Sequence, residues 1–347
     1  MHVLPSYRRL LLLTEGHLGV FTAKTAASVL RYRPDDVVAV IDAAAAGKHL
    51  TEFIPWAPAV PILPDVAAAR DLQPEALFVG IAPVGGALPA EMRSHVCAAL
   101  QVGIDVVSGL HSFLSDDPEL AAAASASGAR LLDIRRPPAE RVVASALALG
   151  TRCQRVLTVG TDCNVGKMVT ALELTATARR RGLDARFLAS GQTGIMIAGR
   201  GIAIDACVAD FAAGAVEQLV LDAAQSDVCF VEGQGSLGHP GFSGVVLALL
   251  HGACPDALVL VHQLGRTHYK APPHSPLPPM KDLIVAYERT AALLHPARVV
   301  AVALNSFGHP PEAARAAADR WERDLGLPVV DPVCDGGERL LDAIRPA

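Results

Sequence analysis

VLTVGTDCNVGKMVTALEL, Val156 to Leu174, decides how the rest of the chain reads. Val156-Leu157-Thr158-Val159 is a β-type apolar run, and Val169, Leu172 and Leu174 recur at helical spacing beyond it. Between them stand Gly160, Thr161, Asp162, Cys163, Asn164, Val165, Gly166 and Lys167. Strand, glycine-bounded loop and helix is the setting of a phosphate-binding loop. Glycine lets the backbone turn tightly, so successive N–H groups converge on anionic oxygens. The helix N-terminus adds partial positive charge and Lys167 a full one. The spacing departs from the usual pattern, with five residues between the glycines and Met168 after the lysine instead of Ser or Thr. A thioether is no ligand for Mg²⁺, which takes hard oxygens. Phosphate binding is therefore expected over all nine residues from Gly160 to Met168, and ordinary Mg²⁺–ATP turnover is not.

Downstream the chain alternates strand and helix. Ala185 to Ala189 reads as a strand ending in the small-residue loop Ser190-Gly191-Gln192-Thr193-Gly194, where Gln192 and Thr193 are candidate substrate contacts. Asp205 and Asp210 follow as candidate proton acceptors, and a helix is expected from Gly214 to Ala224. Asp227 to Val231 then leads into Glu232-Gly233-Gln234-Gly235-Ser236. An apolar strand that ends in a carboxylate downstream of a phosphate loop is the arrangement that holds a metal or its water. Glu232 is accordingly expected in the site, with Mg²⁺ as its partner if a metal is used. His239, in the polar loop that follows, is a candidate general base because imidazole titrates near neutrality. Arg266, past the strand Ala257 to Val261, suits a bidentate grip on a substrate carboxylate or phosphate. Ala271 to Pro279 reads as a rigid proline-rich cover. Asn305, at the end of the strand Val299 to Leu304, can pair with a purine edge.

Upstream, Leu10 to Leu13 and Val37 to Ile41 read as strands, with a helix between them from about Thr22 to Arg31. Asp42 closes the second strand, the place where dinucleotide folds carry their ribose-binding acid. The glycine fingerprint of those folds is missing from the first turn. Glu15, His17, Lys24 and His111 could line one crevice at strand ends. Arg135-Arg136-Pro137-Pro138 interrupts the pattern and marks a boundary. The expected division is a Rossmann-like α/β domain over 1–138 and a P-loop α/β domain with a mostly parallel sheet over 139–347, entered through a helix from Ala139 to Leu149.

Half of the 347 residues are hydrophobic and only 4% aromatic, which suits parallel strands buried on both faces. A net charge of −5, without a basic stripe, argues against nucleic acid as a partner. The apolar runs are too short for a membrane span. Seven scattered cysteines without a CxxC pair fit reduced thiols in a cytoplasm.

The loop GTDCNVGK resembles that of the dethiobiotin-synthetase-like branch of P-loop proteins, which shares the longer spacing. Together with GQTGIMIAGRGIAIDA (191–206), VEGQGSLGHPGFSGVVLALLHGACPDALVL (231–260) and GLHSFLSDDPEL (109–120), it resembles a two-domain P-loop family long known only as a domain of unknown function. Characterised members of that family include D-glutamate N-acetyltransferase. The resemblance implies a homodimer or larger assembly, a phosphate loop at Gly160 to Lys167 and an acidic partner at Glu232. It also implies that Gln263 stands where relatives are expected to carry glutamate. Three functions are compatible with these residues. One is acetyl-CoA-dependent N-acetylation of a small amino acid such as D-glutamate. Another is an ATP-dependent amide ligase that works through an acyl phosphate. The third is a nucleotide-binding regulator without catalysis.

Overall fold

The computed structural model describes residues 1–83, 85–270 and 275–345. The chain divides into two compact units, one of Met1–Pro137 with Ile195–Ala206, the other of Pro138–Gly194 with Cys207–Ala347. Each carries one six-stranded parallel sheet.

In the first unit the strands are β1 (His2–Val3), β2 (Leu10–Leu13), β3 (Val37–Ile41), β4 (Ile62–Leu63), β5 (Ala76–Val79), β6 (Asp105–Ser108) and β7 (Leu131–Asp133). The helices are α1 (Lys24–Tyr32), α2 (Ala90–Gln101) and α3 (Pro118–Ser127). The sheet order β4-β3-β2-β5-β6-β7 reverses between β2 and β5, the doubly wound Rossmann arrangement. Leu10 to Leu13 and Ala76 to Val79 are all buried, as central strands covered on both faces must be. Asp42 does not face a ribose site. It is buried, with one oxygen accepting the N–H of Ala45 and the other the hydroxyl of Thr14. Glu15 accepts the N–H of Ala43 and lies 3.1 Å from Nε2 of His95. His17 sits apart from that pair, 3.7 Å from Glu91.

In the second unit, β8 (Gln154–Gly160), α4 (Lys167–Arg180) and β9 (Ala185–Leu188) come first, and α5 (Gln192–Ala198) begins there and ends among the residues of the first unit. The short β10 (Arg200–Gly201) pairs antiparallel with β1 and belongs to the first unit. Then follow α6 (Ala209–Asp222), β11 (Val228–Val231), α7 (Ser243–Ala253), β12 (Ala257–Gln263), α8 (Met280–Ala291), β13 (Arg298–Asn305), α9 (Pro311–Leu325), β14 (Val329–Val330) and α10 (Glu338–Ile344). The sheet order β14-β13-β12-β8-β11-β9 puts the phosphate-loop strand between β11 and β12. All six strands being parallel, the loops after β8, β9, β11, β12 and β13 leave one edge together. The core between sheet and helices is built from Val156, Ala171, Leu174, Phe230, Val259, Ala301 and Leu340 among others.

No α-helix runs from Ala139 to Leu149. The segment is irregular up to a 3₁₀ turn at Leu147–Gly150. Its amides are satisfied sideways, because the fully buried Glu217 on α6 accepts the N–H groups of Ser145 and Leu147. Gly214 on the same helix leaves room for the strap, since a Cβ there would lie 1.9 Å from the carbonyl oxygen of Val142. Helix α5 begins within the stretch expected to be a loop, and α7 occupies Ser243–Ala253. Among the described residues, no helix is long and apolar enough to cross a membrane.

Gly214→Ala is expected to cost about 1–3 kcal/mol by forcing the strap off α6, whereas Gly150→Ala, which meets nothing within 4 Å, should stay within about 0.5 kcal/mol of the parent. Chemical denaturation of both variants checks the pair; equal midpoints would contradict the packing described.

Candidate functional site

The phosphate loop is held by its own lysine. Lys167 is buried at the first position of α4, and its Nζ donates to the carbonyl of Asp162 at 2.8 Å. Its stem lies against Gly160 and Gly233, where any Cβ would come within about 3 Å of Lys167 side-chain atoms. Gly166 adopts φ +115° and Asn164 φ +55°, turning the backbone into the left-handed region on both sides of Val165. Such alternation aims consecutive N–H groups to one side, which is what an anion cradle requires.

Two neighbouring loops are stitched to this one. Gly233 donates to Thr158 Oγ1 at 2.9 Å, and a Cβ on Gly233 would lie 1.7 Å from the Thr158 carbonyl oxygen. Ser236 Oγ donates to Thr161 O at 3.1 Å. Tyr287 of α8 is buried; its hydroxyl donates to Gly160 O at 2.8 Å and accepts the N–H of Leu237 at 3.0 Å. Burial pushes that phenol up to about 12, so it remains a donor. Nothing in the sequence singled out Tyr287, because it sits on the apolar face of an ordinary amphipathic helix.

Several candidate residues turn out to hold the scaffold. One oxygen of the buried Glu232 accepts the amides of Ser190 at 2.9 Å and Gly191 at 3.0 Å, at the start of α5. Glycine at 194 is needed beside it, since a Cβ there would fall on the carboxylate. Gln192 and Thr193 form the first turn of α5, Gln192 buried and Thr193 half-buried. Arg266 does not present an open guanidinium. It donates to Asp162 Oδ2 at 2.8 Å and to Gln263 Oε1 at 2.5 Å. Asp162 also accepts the amides of Cys163 at 2.7 Å and Lys270 at 2.8 Å. Asn305 is turned inward: its amide donates to Val165 O at 3.2 Å and its carbonyl accepts from Phe307 N at 3.1 Å. It braces the phosphate loop, with both ends of its side chain engaged. Asp205 belongs to the first unit, paired with Arg135, and Asp210 is exposed in the first turn of α6, where its charge suits the helix dipole. The proline-rich cover lies partly outside the described residues.

His239 is buried, stacked on Phe242 at 4.7 Å and edge-on to Tyr269 at 5.5 Å. Its Nδ1 accepts the N–H of Gly241 at 3.0 Å. A backbone amide can only donate, so the neutral ring carries its proton on Nε2. Ligating atoms of Asp162, Cys163 and His239 lie within 4.8 Å of one another. Mg²⁺, which takes hard oxygens, fits a group with a thiol and an imidazole poorly. Asp162 is already neutralised by Arg266, Lys167 stands on the same loop, and Met168 offers no hard oxygen. Glu232 fits Mg²⁺ no better with an oxygen committed to two amides.

His262 lies behind the loop. It shares a 2.9 Å hydrogen bond with Thr161 Oγ1 and meets Trp321 edge-on at 5.0 Å. Burial first, and the Arg266 charge second, press its pKa down from 6.5 to about 4. Sequence inspection passed over it as one more strand-end residue.

Fold and site together define a two-unit α/β protein that joins a Rossmann-like sheet to a P-loop sheet. Family models match both halves, residues 43–137 as the Rossmann-like "Domain of unknown function (DUF1611_N)" and 142–341 as the P-loop "Domain of unknown function (DUF1611_C)". The chain belongs to the DUF1611 family. It is 38% identical over 328 residues to a protein of Tritonibacter scottomollicae named D-glutamate N-acetyltransferase, covering 94% of this chain and 95% of that one. It is also 38% identical over 277 residues to a protein of the same name from Pseudoalteromonas sp., covering 80% and 83%. A crystal structure of a DUF1611 family protein from Anabaena variabilis superposes with a TM-score of 0.93 at 42% identity, over 98% of this chain and all of that one. By this kinship the protein is an enzyme of the amino-acid N-acyltransferase type.

Because folded His262 resists protonation, the unfolded chain binds the extra proton first as the pH falls. Its contribution to stability is complete above pH 6.5 and is lost on descending toward about pH 4, by about 3 kcal/mol in all. His262→Gln, which keeps a partner for Thr161, should flatten this part of the stability–pH curve measured by denaturant unfolding.

Proposed function

We propose that this enzyme transfers an acetyl group from acetyl-CoA to the amino group of D-glutamate or a similar small amino acid, with the phosphate loop holding the phosphates of the donor. The names of its relatives support the reaction. The observation that supports the donor's role is the pairing of a lysine-closed anion cradle with carboxylates already engaged by the protein, which leaves few oxygens open to Mg²⁺. Coenzyme A brings phosphates that need binding and no hydrolysis, so neither a hydroxyl at Met168 nor an open carboxylate at Glu232 is required.

In this reading the amides from Asn164 to Lys167 and the Lys167 ammonium bind donor phosphates, with charge-assisted hydrogen bonds supplying most of the grip. Glu232 keeps α5 in place and leaves Gln192 and Thr193 at its first turn to meet the substrate. His239 handles the proton released when the ammonium becomes an amide. The amide-ligase alternative shares the loop and differs in consuming ATP.

The deciding measurement follows CoA and ADP release in parallel, with D- and L-glutamate as acceptors. Amino-acid-dependent CoA release without ADP is expected; ADP formation that depends on a carboxylate–amine pair would move the protein to the ligase class, and ligand binding without turnover to the regulators. Lys167→Ala should weaken acetyl-CoA binding by about 2 kcal/mol, roughly 30-fold in Kd, in calorimetric titration.

A further inference from the structure

Cys163 puts a thiol on the phosphate loop, and the phosphate-binding reading makes no use of that thiol. It is half-buried, follows the anchored Asp162, and has its Sγ within 4.8 Å of ligating atoms of both His239 and Asp162. A thiol grouped with an imidazole is the pairing of a nucleophile with its base. Asp162 is fixed by Arg266 and by two amides, and His239 by Phe242 and Tyr269, so the group is preorganised.

A second observation lies on the other side of the His239 ring. The hydroxyl of Tyr269 is buried with no hydrogen-bond partner among the described residues. Tyr269 is only 4% exposed and meets His239 edge-on, and its hydroxyl packs so closely on Gly238 that a Cβ there would lie 2.1 Å away. A buried hydroxyl left without a partner costs about 1–3 kcal/mol. That cost is recovered if an oxygen arrives to accept its proton.

The geometry points to Cys163 as the acyl acceptor in a two-step transfer, with Tyr269 donating to the oxyanion. This rests on the acyltransfer reading above. In the first step the thiol proton passes to Nδ1 of His239, in exchange for the hydrogen bond from Gly241. The sulfur attacks the acyl carbonyl carbon, a carbon–sulfur bond forms, and the bond to the leaving group breaks. The imidazolium returns its proton to the leaving group, and Cys163 is left as an S-acyl thioester. In the second step the neutral amine of the amino acid attacks that thioester. The amide bond forms, the Cys163 carbon–sulfur bond breaks, and the amine proton restores the thiol by way of His239.

The location of Cys163 on the phosphate loop itself narrows the donor. Coenzyme A separates its phosphates from its thioester by the pantetheine arm, which must fold back to serve both. Acetyl phosphate carries its acyl group directly on a phosphate and meets loop and thiol without folding. The shared chemistry is an activated acyl group, and the two sources are separable.

The test mixes the full-length enzyme with acetyl-CoA, or separately with acetyl phosphate, in the absence of amino acid, quenches in acid and reads intact and peptide masses. One acetyl group on Cys163, released on adding the acceptor, is expected, with a burst of leaving group equal to the enzyme concentration. Cys163→Ser and Cys163→Ala should lose this adduct and about 100-fold or more of the turnover, and Tyr269→Phe should slow adduct formation while leaving donor affinity near that of the parent. An adduct from acetyl phosphate alone would keep Cys163 and overturn acetyl-CoA as donor. No adduct from either donor, or an active Cys163→Ala enzyme with sequential kinetics, would overturn the role of Cys163 and leave the acetyltransferase reading standing.

Discussion

A lysine ammonium on a backbone carbonyl organises this protein's chemistry. Lys167 reaches over its own loop to Asp162 O, and almost everything near the edge of the second sheet serves to make that reach possible. Gly160 and Gly233 clear the path of its stem. Asn305 and Tyr287 tie down the carbonyls at the two ends of the loop. Arg266 and the amide of Lys270 hold the Asp162 side chain, so the carbonyl that receives the ammonium cannot swing away. A buried ammonium without such an acceptor would be costly. The loop is thus poised for an anion by contacts made with protein groups alone.

How much of this was readable beforehand depends on the range of the interaction. The phosphate loop is a local pattern: two glycines, a lysine, a strand before and a helix after. It was legible from nineteen residues. The two α/β units with parallel sheets were legible from apolar runs and their spacing. What could not be read was the partner of each polar side chain. Arg266 and Asn305 have the chemistry to grip a ligand, but in the fold their nearest partners are Asp162, Gln263, Val165 and Phe307. Those pairs are separated by 2 to 140 positions, and no window of sequence contains the distant ones. The missing helix between Ala139 and Leu149 has the same origin: helical composition was overruled by Glu217, a buried carboxylate some 70 residues away.

Polar strand ends therefore have two uses in this protein. Some residues, such as Glu232 and Arg266, spend their charge on the backbone or on one another, which makes a rigid frame. Others, such as His239, Cys163 and Tyr269, are gathered by that frame. Met168, after the lysine, places a thioether where the usual loop has a hydroxyl.

The pairing of His2 and Val3 with Gly201 and Arg200 has a bearing on synthesis. The N-terminal unit contains residues 195–206, and among them Asp205 neutralises the buried Arg135. A ribosome that has released only the first 137 residues has released all six strands of the Rossmann-like sheet but neither the partner of β1 nor that of Arg135. The strand that pairs with β1 emerges after the whole phosphate loop has done so. The first unit is thus completed by a segment encoded inside the second, and the last of its contacts form only after the phosphate loop has been synthesised.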